Sequence, residues 1–167
     1  VAHMDRFIAS SDEEEAIAST FESHDLELDF SNPRPGNLAA IPSGSGIYLI
    51  IGRRGEQLIK VYVGKATDIR RRIGDYHRGF QVHCPNDRKL AMFQEWLSEA
   101  DPGCSLSLCT ADASPEELAA MERRWINKLK PLVNGTRHDD PESRAVVEQA
   151  FKQFFRSFFR ARVDNDA

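Results

Sequence analysis

The sequence has 167 residues, of which 41% are hydrophobic and 29% are charged, as is typical of one globular domain with a hydrophobic core. It contains no apolar run near the roughly 18 residues needed to cross a membrane, and its start lacks the charged-then-apolar pattern of a secretion signal. The net charge of -4 does not exclude a nucleic-acid partner, because residues 1–32 carry nine acids and one base whereas residues 33–137 carry sixteen bases and eleven acids.

The cysteines predict a location for the protein. Cys84, Cys104 and Cys109 are odd in number and show no CxxC spacing, so we expect free thiols rather than a disulfide framework. Free thiols are typical of a reducing, cytoplasmic environment. An alternative is a zinc site formed by His83 with the three cysteines, although this spacing fits none of the usual zinc patterns.

Residues 1–40 are predicted to form an acidic N-terminal extension and linker. The alternation of Leu26, Leu28 and Phe30 suggests an edge strand within this segment. The prolines of residues 32–36, NPRPG, predict the linker that ends it.

A hairpin follows the linker. Residues 46–51, GIYLII, predict a buried strand because six residues in a row are apolar or small. Residues 53–56, RRGE, predict the turn, and residues 57–63 the return strand.

The next segment predicts an amphipathic helix. Thr67 can cap it, with Asp68 in the first turn. Ile69, Ile73 and Tyr76 then recur at i, i+4 and i+7, which places them on one face. We expect this face to pack on the sheet.

The remaining elements complete the fold class. They are a helix over about residues 87–100, a strand over 105–110, a helix over 115–130 and a helix over about 141–162. The resulting order, β-β-α-α-β-α-α, predicts an α/β (α+β) fold with a small antiparallel three-stranded sheet flanked by helices.

Glu122 is a candidate functional residue because of its position in the helix over residues 115–130. It falls within an apolar stripe formed by Leu118, Met121, Trp125 and Leu129. A carboxylate that faces a core is unstable there unless a cation or hydrogen-bond donors meet it. Two interpretations are open: an ion pair with an arginine or lysine, or a metal ligand. One glutamate can suffice for Mg²⁺, which keeps several of its waters.

A second group of candidates lies in the stretch YVGKATDIRRR. Arg72 shares a helix face with Tyr76 and borders the apolar seam of that helix. An arginine held in this way can clamp a phosphate with two parallel hydrogen bonds. Tyr62 is expected to end the return strand, and Lys65 follows it. Taken singly, each of these residues also fits an ordinary role in the core or on a solvated basic face.

Together these residues resemble a known signature. Gly46-Ile47-Tyr48 on one strand and Tyr62-Val63-Gly64 on the next are similar to the motif of the GIY-YIG endonuclease superfamily. Further positions match the family in order and spacing: Arg72, Tyr76, Glu122, Lys130-Pro131 and Asn134. The resemblance covers about residues 44–135 and is strongest to the N-terminal nuclease domain of the bacterial excinuclease C proteins. The chain differs in Val63, where the family name has isoleucine.

The resemblance implies a metal-dependent DNA endonuclease that hydrolyses phosphodiester bonds and leaves 5′-phosphate and 3′-hydroxyl ends. It implies Mg²⁺ or Mn²⁺ on Glu122, Tyr62 as the general base and Arg72 on the scissile phosphate. A free tyrosine has a pKa near 10, so Tyr62 needs cationic neighbours at neutral pH. We expect Lys65, Arg72 and the metal to supply this positive charge.

The other matching residues are expected to support the site. Tyr48 and Tyr76 would position water and phosphate by hydrogen bonds, and Asn134 would fix the backbone or a neighbouring side chain. Basic side chains nearby would contact the DNA backbone without reading its sequence. These are Arg53, Arg54, Lys60, Arg70, Arg71 and Arg78.

On this resemblance, residues 41–137 form the nuclease domain and residues 138–167 a C-terminal amphipathic helix. The helix carries five phenylalanines between Phe151 and Phe159 on one side, which would pack on the domain or at a homodimer seam.

Two rival functions share the fold. One is a non-catalytic DNA-binding or adaptor module, which the filled catalytic positions disfavour. The other is an RNA-cleaving member of the family, which the composition leaves open. A weaker hypothesis gives the acidic segment 12–29 a role in competing with DNA for the basic face. Repair, restriction, mobile-element and phage roles are not distinguished by these residues.

Overall fold

The computed structural model describes residues 4–30, 38–78, 84–100 and 103–166. The helices are α1 (Ser11–Thr20), α2 (Ile69–Arg78), α3 (Pro85–Ala100), α4 (Leu118–Leu129) and α5 (Pro141–Asp166). The strands are β1 (Glu22–Glu27), β2 (Gly46–Arg54), β3 (Gln57–Ala66) and β4 (Cys104–Asp112). Within these ranges, no helix combines the length and the apolar character that a membrane crossing requires.

The four strands form one antiparallel sheet in the order β1-β4-β2-β3. The predicted mixed fold, an antiparallel sheet flanked by helices, is confirmed, but the predicted number of three strands is wrong. The fourth strand is β1, which pairs with β4 from Glu22 opposite Thr110. A buried hydrogen bond of 2.6 Å between His24 Nε2 and Thr110 Oγ1 joins the two strands. An edge strand was predicted in this segment from Leu26, Leu28 and Phe30, and β1 is an edge strand that lies earlier in the chain, from Glu22 to Glu27.

Helices cover both faces of the sheet, so the protein has two hydrophobic cores. The first core lies on the side of α2, α3 and α5 and includes Tyr48, Ile73 and Phe93. The second lies on the side of α1 and α4 and includes Ile17 and Trp125. The β2 strand is buried on both faces, which explains its continuous apolar run.

The N-terminal segment is built into these cores. Phe7, Leu28 and Phe30 are buried in the first core, and Ile17 and Phe21 in the second. The segment predicted to be an extension therefore supplies a helix, a strand and core side chains. The division of the chain at residues 40 and 137 remains a prediction, with residues on both sides of each boundary packed in the same cores.

The α2 helix has the predicted apolar face, since Ile69, Ile73 and Tyr76 are all buried. Its cap differs from the prediction. The Asp68 carboxylate accepts a hydrogen bond from the Arg71 backbone N–H at 3.0 Å, so Asp68 rather than Thr67 caps the helix. The carboxylate is also the better partner for the positive end of the helix dipole.

The α4 helix begins at Leu118, three residues later than the predicted start at residue 115. Ser114 accepts a backbone hydrogen bond from Glu117 in a turn that precedes the helix. The helix ends at Leu129 and is capped by Lys130, which has a left-handed conformation with φ of 49°. Leu118, Glu122, Trp125 and Leu129 are buried, so the predicted stripe faces the second core with the glutamate inside it.

The α5 helix packs on the first core through Val147 and Phe151. A side chain at Gly135 would collide with Val147, so the approach of the helix to the preceding turn requires glycine there. The side chains of Phe154, Phe155, Phe158 and Phe159 lie outside the described residues. The homodimer seam therefore stays a prediction.

The zinc alternative does not fit the sheet. Cys104 packs against the first core and Cys109 lies in the second, so the two thiols are on opposite faces and are unable to share one ion. Cys84, Cys104 and Cys109 are free, and His83 lies outside the described residues.

Candidate active site

Three buried tyrosines, here called the tyrosine cluster, meet in the first core. Tyr48 comes from β2, Tyr62 from β3 and Tyr76 from α2. The phenol oxygens of Tyr48 and Tyr76 are hydrogen-bonded at 2.6 Å. The ring centroids of Tyr48 and Tyr62 are 6.0 Å apart, within the range of aromatic packing. The pairing of β2 with β3 and the packing of α2 thus bring together residues 28 positions apart in sequence.

Gly64 makes room for this cluster. It pairs with Tyr48 across β2 and β3, and a Cβ atom at residue 64 would collide with the Tyr48 phenol ring. The prediction that Tyr62 ends its strand is wrong, because β3 continues to Ala66. The glycine therefore lies inside the strand, where its missing side chain lets the Tyr48 ring pack closely against the backbone.

Arg72 is held between an aromatic ring and a carboxylate. Its guanidinium carbon lies 4.5 Å from the centroid of the Tyr76 ring. Its Nη2 atom donates to Asp87 Oδ1 at 3.1 Å, and Asp87 is buried. The Arg72 side chain keeps 29% of its surface exposed. It is consequently oriented by two contacts and still accessible to a ligand.

The electrostatics of Tyr62 differ from the sequence expectation. Burial raises the pKa of its phenol well above the ordinary value, and the negative charges of ionised Tyr48 and of Glu122 raise it further. Arg72 lowers this pKa, but by less than burial raises it. Lys65, which was expected to help, is exposed. Burial also raises the pKa of Tyr48 and of Tyr76, so the whole cluster is protonated at neutral pH.

Glu122 is buried on α4 and has one ionic partner among the described residues. Its Oε1 atom accepts a hydrogen bond from Arg137 Nη1 at 2.7 Å. Arg137 belongs to the short turn Gly135–Arg137 and keeps 43% of its side chain exposed. Of the two interpretations of Glu122, the ion pair is thus present in this structure. The charge of Glu122 also reaches Tyr62, because it raises the pKa of that phenol.

Glu122 also fits the chemistry of a metal ligand. No group of three or more histidine, cysteine, aspartate or glutamate side chains surrounds a common point in the described part of the chain. Such a group is not required by Mg²⁺, which is held by one or two carboxylates and several waters. The second oxygen of Glu122 makes no hydrogen bond to the described residues. A carboxylate with a free oxygen beside a phenol is a hard donor set that suits Mg²⁺ or Mn²⁺.

Asn134 fixes the backbone next to Tyr62. Its side-chain Oδ1 accepts from the Val63 N–H at 2.8 Å, and its Nδ2 donates to the Val63 carbonyl at 2.9 Å. The Val133 N–H donates to the Val61 carbonyl at 2.8 Å. The segment that follows α4 therefore runs along the open edge of β3 and holds the strand on both sides of Tyr62.

Lys60 does not fit its predicted role. It is buried, and its Nζ atom donates to both carboxylate oxygens of Glu13, at 3.0 and 2.8 Å. The prediction that Lys60 contacts the DNA backbone is therefore wrong, because this ammonium is already neutralised by the N-terminal helix. Its partner lies 47 residues away in sequence, so no local pattern reveals the pair.

The other predicted DNA contacts divide into two places. Arg71 and Arg78 are exposed on α2, and Arg70 donates to the carbonyls of Ile41 and Ala39. Arg53 and Arg54 lie at the far end of the hairpin, about four residues or 13 Å along β2 from the position that pairs with Tyr62. Arg70, Arg71 and Arg78 therefore share a helix with Tyr76, whereas Arg53 and Arg54 lie further from the cluster.

Two charged residues at the site were missed by the sequence analysis. Asp87 contacts Arg72, and Arg137 contacts Glu122. Each pair joins residues 15 positions apart on different elements. The only available signal was general, since a buried Glu122 and a positioned Arg72 each require a partner of opposite charge.

The sequence of the chain is similar to those of known proteins. The family model of the GIY-YIG catalytic domain matches residues 44–137, which is more than half of the chain. UvrABC system protein C of Corynebacterium diphtheriae is 28% identical over 130 residues, covering 76% of this chain and 16% of that protein. The same-named protein of Oleidesulfovibrio alaskensis is 32% identical over 106 residues, covering 64% of this chain and 13% of that protein.

The matched region is thus less than a fifth of the length of these relatives. No solved structure gives a significant match to the chain. The match to the catalytic domain includes every residue of the tyrosine cluster together with Arg72, Glu122 and Asn134. The chain therefore belongs to the GIY-YIG endonuclease family.

Proposed function

We propose that the protein is a metal-dependent DNA endonuclease that uses Tyr62 as its general base and one divalent cation held by Glu122. The observation that carries the proposal is that a clamped arginine, Arg72, and a buried carboxylate, Glu122, both act electrostatically on the phenol of Tyr62. A phosphodiesterase needs these three functions: a base for water, a cation for the phosphate and a ligand for a metal.

In the proposed reaction, the oxygen of a water molecule forms a bond to phosphorus while the bond from phosphorus to the 3′ oxygen breaks. Tyr62 takes the proton of the attacking water, and the leaving oxygen takes a proton from solvent. The products are a 5′-phosphate and a 3′-hydroxyl. A divalent cation, when bound, stabilises the developing negative charge and favours ionisation of neighbouring oxygen groups.

The remaining residues position the reacting groups in this proposal. Arg72 binds the scissile phosphate through the part of its guanidinium that Asp87 leaves free. The hydroxyls of Tyr48 and Tyr76 orient water and phosphate, and Lys65 lies at the exposed mouth of the site. Asn134 acts indirectly by holding the backbone next to Tyr62.

DNA is proposed as the substrate on the family match and on the exposed arginines of α2. The similarity to UvrABC system protein C favours a repair role over restriction or a mobile element. Because the chain matches only 16% of the Corynebacterium protein, this is a proposal for the catalytic domain and not for the whole activity of the relative. The free cysteines support a cytoplasmic location.

The proposal is tested by cleavage of supercoiled plasmid with Mg²⁺ or Mn²⁺. We expect wild type to cut, and Tyr62→Phe, Glu122→Ala and added EDTA each to lower the rate by at least about 100-fold. Glu116→Ala, which removes an exposed carboxylate just before α4, is the matched control and should cut at the wild-type rate. The ratio of nicked to linear product will report whether cutting of both strands is coupled, as a homodimer through α5 would allow.

Two outcomes would favour the rival functions. Protein that shifts DNA in a gel but never cuts it with any divalent cation indicates a binding or adaptor module. Protein that cuts structured RNA faster than DNA indicates an RNA-cleaving member of the family.

A further inference from the structure

The Glu122–Arg137 ion pair has an uneven exposure. Only 4% of the Glu122 side chain is exposed, against 43% of the Arg137 side chain. A buried carboxylate without a partner is strongly destabilising, so an ionised Glu122 needs a cation at all times. In the described part of the chain, the guanidinium of Arg137 is the cation bonded to it.

The attachment of Arg137 allows its side chain to leave. Its backbone is fixed, since the Arg137 N–H donates to the Asn134 carbonyl at 2.8 Å. Its guanidinium holds Glu122 through one hydrogen bond of 2.7 Å rather than through two parallel ones. Because much of the side chain is already in solvent, rotation outward exposes little new apolar surface and breaks only this contact.

A divalent cation and Arg137 require the same carboxylate. Two positive groups on one buried glutamate repel each other, and hydrogen bonding to Oε1 weakens the donor that a metal would use. The two partners are therefore expected to exclude one another.

We propose that Arg137 is an internal counter-ion that holds the Glu122 carboxylate in place until a divalent cation displaces it. The inference rests on the proposed function, because it takes Glu122 as the metal ligand. On this proposal Arg137 weakens metal binding, because it is a cation bonded to the carboxylate that the metal needs.

The test is a titration of the DNA-free protein with Mn²⁺ at pH 8, by calorimetry or by the electron spin resonance of free Mn²⁺. We expect Arg137→Gln to bind Mn²⁺ about tenfold more tightly than wild type, since one charged hydrogen bond no longer competes. Arg123→Gln is the matched control. It removes an exposed arginine next to Glu122 in sequence, and any change that it causes measures the general effect of lost positive charge.

Equal or weaker Mn²⁺ binding by Arg137→Gln, relative to the Arg123→Gln control, overturns the inference. Glu122→Gln separates this failure from a failure of the proposed function. If Glu122→Gln leaves the Mn²⁺ affinity of the protein unchanged, Glu122 is not the metal ligand and both proposals fail.

Arg137→Lys serves as a second variant if Arg137→Gln does not fold, as judged by circular dichroism. A lysine keeps the charge but lacks the planar fork of arginine, so we expect a gain in Mn²⁺ affinity of about threefold. An unchanged affinity of a folded Arg137→Lys variant would count against the inference.

Discussion

The two sides of the active site are stabilised in different ways. The tyrosine cluster consists of neutral groups that are enclosed by the first core and bonded to one another, as in the 2.6 Å contact between Tyr48 and Tyr76. The carboxylate side consists of Glu122 and an arginine that is almost half exposed. Packing thus fixes the tyrosines, whereas a partly exposed ion pair holds the carboxylate for which we propose a change of partner.

Arg72 lies between these two kinds of environment. Its guanidinium packs on the Tyr76 ring of the cluster, yet it also forms an ion pair with Asp87. The comparison predicts that changes in the cluster act mainly through geometry, whereas changes in the ion pairs act mainly through charge.

Gly64→Ala is expected to have the largest effect, because its Cβ would collide with the Tyr48 ring and displace the cluster. We expect plasmid cleavage to fall by at least about 100-fold and the free energy of unfolding to fall by about 1–3 kcal/mol. Gly44→Ala is the control, since a Cβ at Gly44 meets no atom within 4 Å. Chemical denaturation and cleavage assays check both values, and a Gly64→Ala variant with wild-type activity would contradict the packed arrangement.

The pH dependence of cleavage should be nearly as large. Burial raises the pKa of Tyr62, so at neutral pH little of it is tyrosinate, and that fraction grows tenfold with each pH unit below the pKa. We expect single-turnover rates with Mg²⁺ to rise about 100-fold from pH 7 to pH 9. A flat profile in wild type would argue against Tyr62 as the base.

The stability of the folded protein, unlike the cleavage rate, is expected to fall as pH rises, but only at higher pH. A phenol whose pKa is raised by folding stabilises the protein fully below its ordinary pKa, near 10, and loses this contribution as pH rises through the raised value. The protein should therefore remain folded from pH 7 to 9, and thermal melts at each pH will show whether the rates come from folded enzyme.

Tyr76→Phe is expected to have an intermediate effect. It removes the hydroxyl bonded to Tyr48 and leaves the aromatic ring that packs on Arg72. We expect cleavage to fall about tenfold and stability by about 1 kcal/mol, the usual net value of one buried hydrogen bond. Cleavage kinetics and urea denaturation test this, and a loss as large as that of Tyr62→Phe would show that Tyr76 is more than a positioning residue.

Asp87→Asn should have the smallest effect. The amide keeps the shape of the carboxylate but weakens its hold on Arg72, so we expect kcat to fall about fivefold with little change in KM. Asp75→Asn, which disrupts the exposed pair with Arg78, is the control and should be neutral. A change confined to KM would indicate that Asp87 acts on DNA binding rather than on the orientation of Arg72.

The sequence predicts those parts of the molecule that depend on local periodicity. The apolar runs of β2, the positive-φ turn at Gly55 and the buried face of α2 were all predictable, because neighbouring residues determine them. The burial of Glu122 was predictable for the same reason, since its place in the helical stripe determines which way it points.

The features that the sequence did not reveal depend on distant partners. Lys60 meets Glu13 and Arg137 meets Glu122 only after the sheet and helices have assembled. The direction of the Tyr62 pKa shift also required the structure, because the depth of burial decides whether desolvation or a nearby arginine prevails. The bounds of β1 also required the structure, because Leu26 lies in the strand but Leu28 and Phe30 follow its end at Glu27.

The amide of Asn134 has a consequence beyond catalysis. The strand that carries Tyr62 is at the border of the sheet, where exposed peptide groups invite strands of other molecules to add and begin aggregation. Asn134 saturates both peptide groups of Val63, as a neighbouring strand would. The protein therefore resists self-assembly at this border without a further strand, and a substitution of Asn134 should lower its solubility as well as its activity.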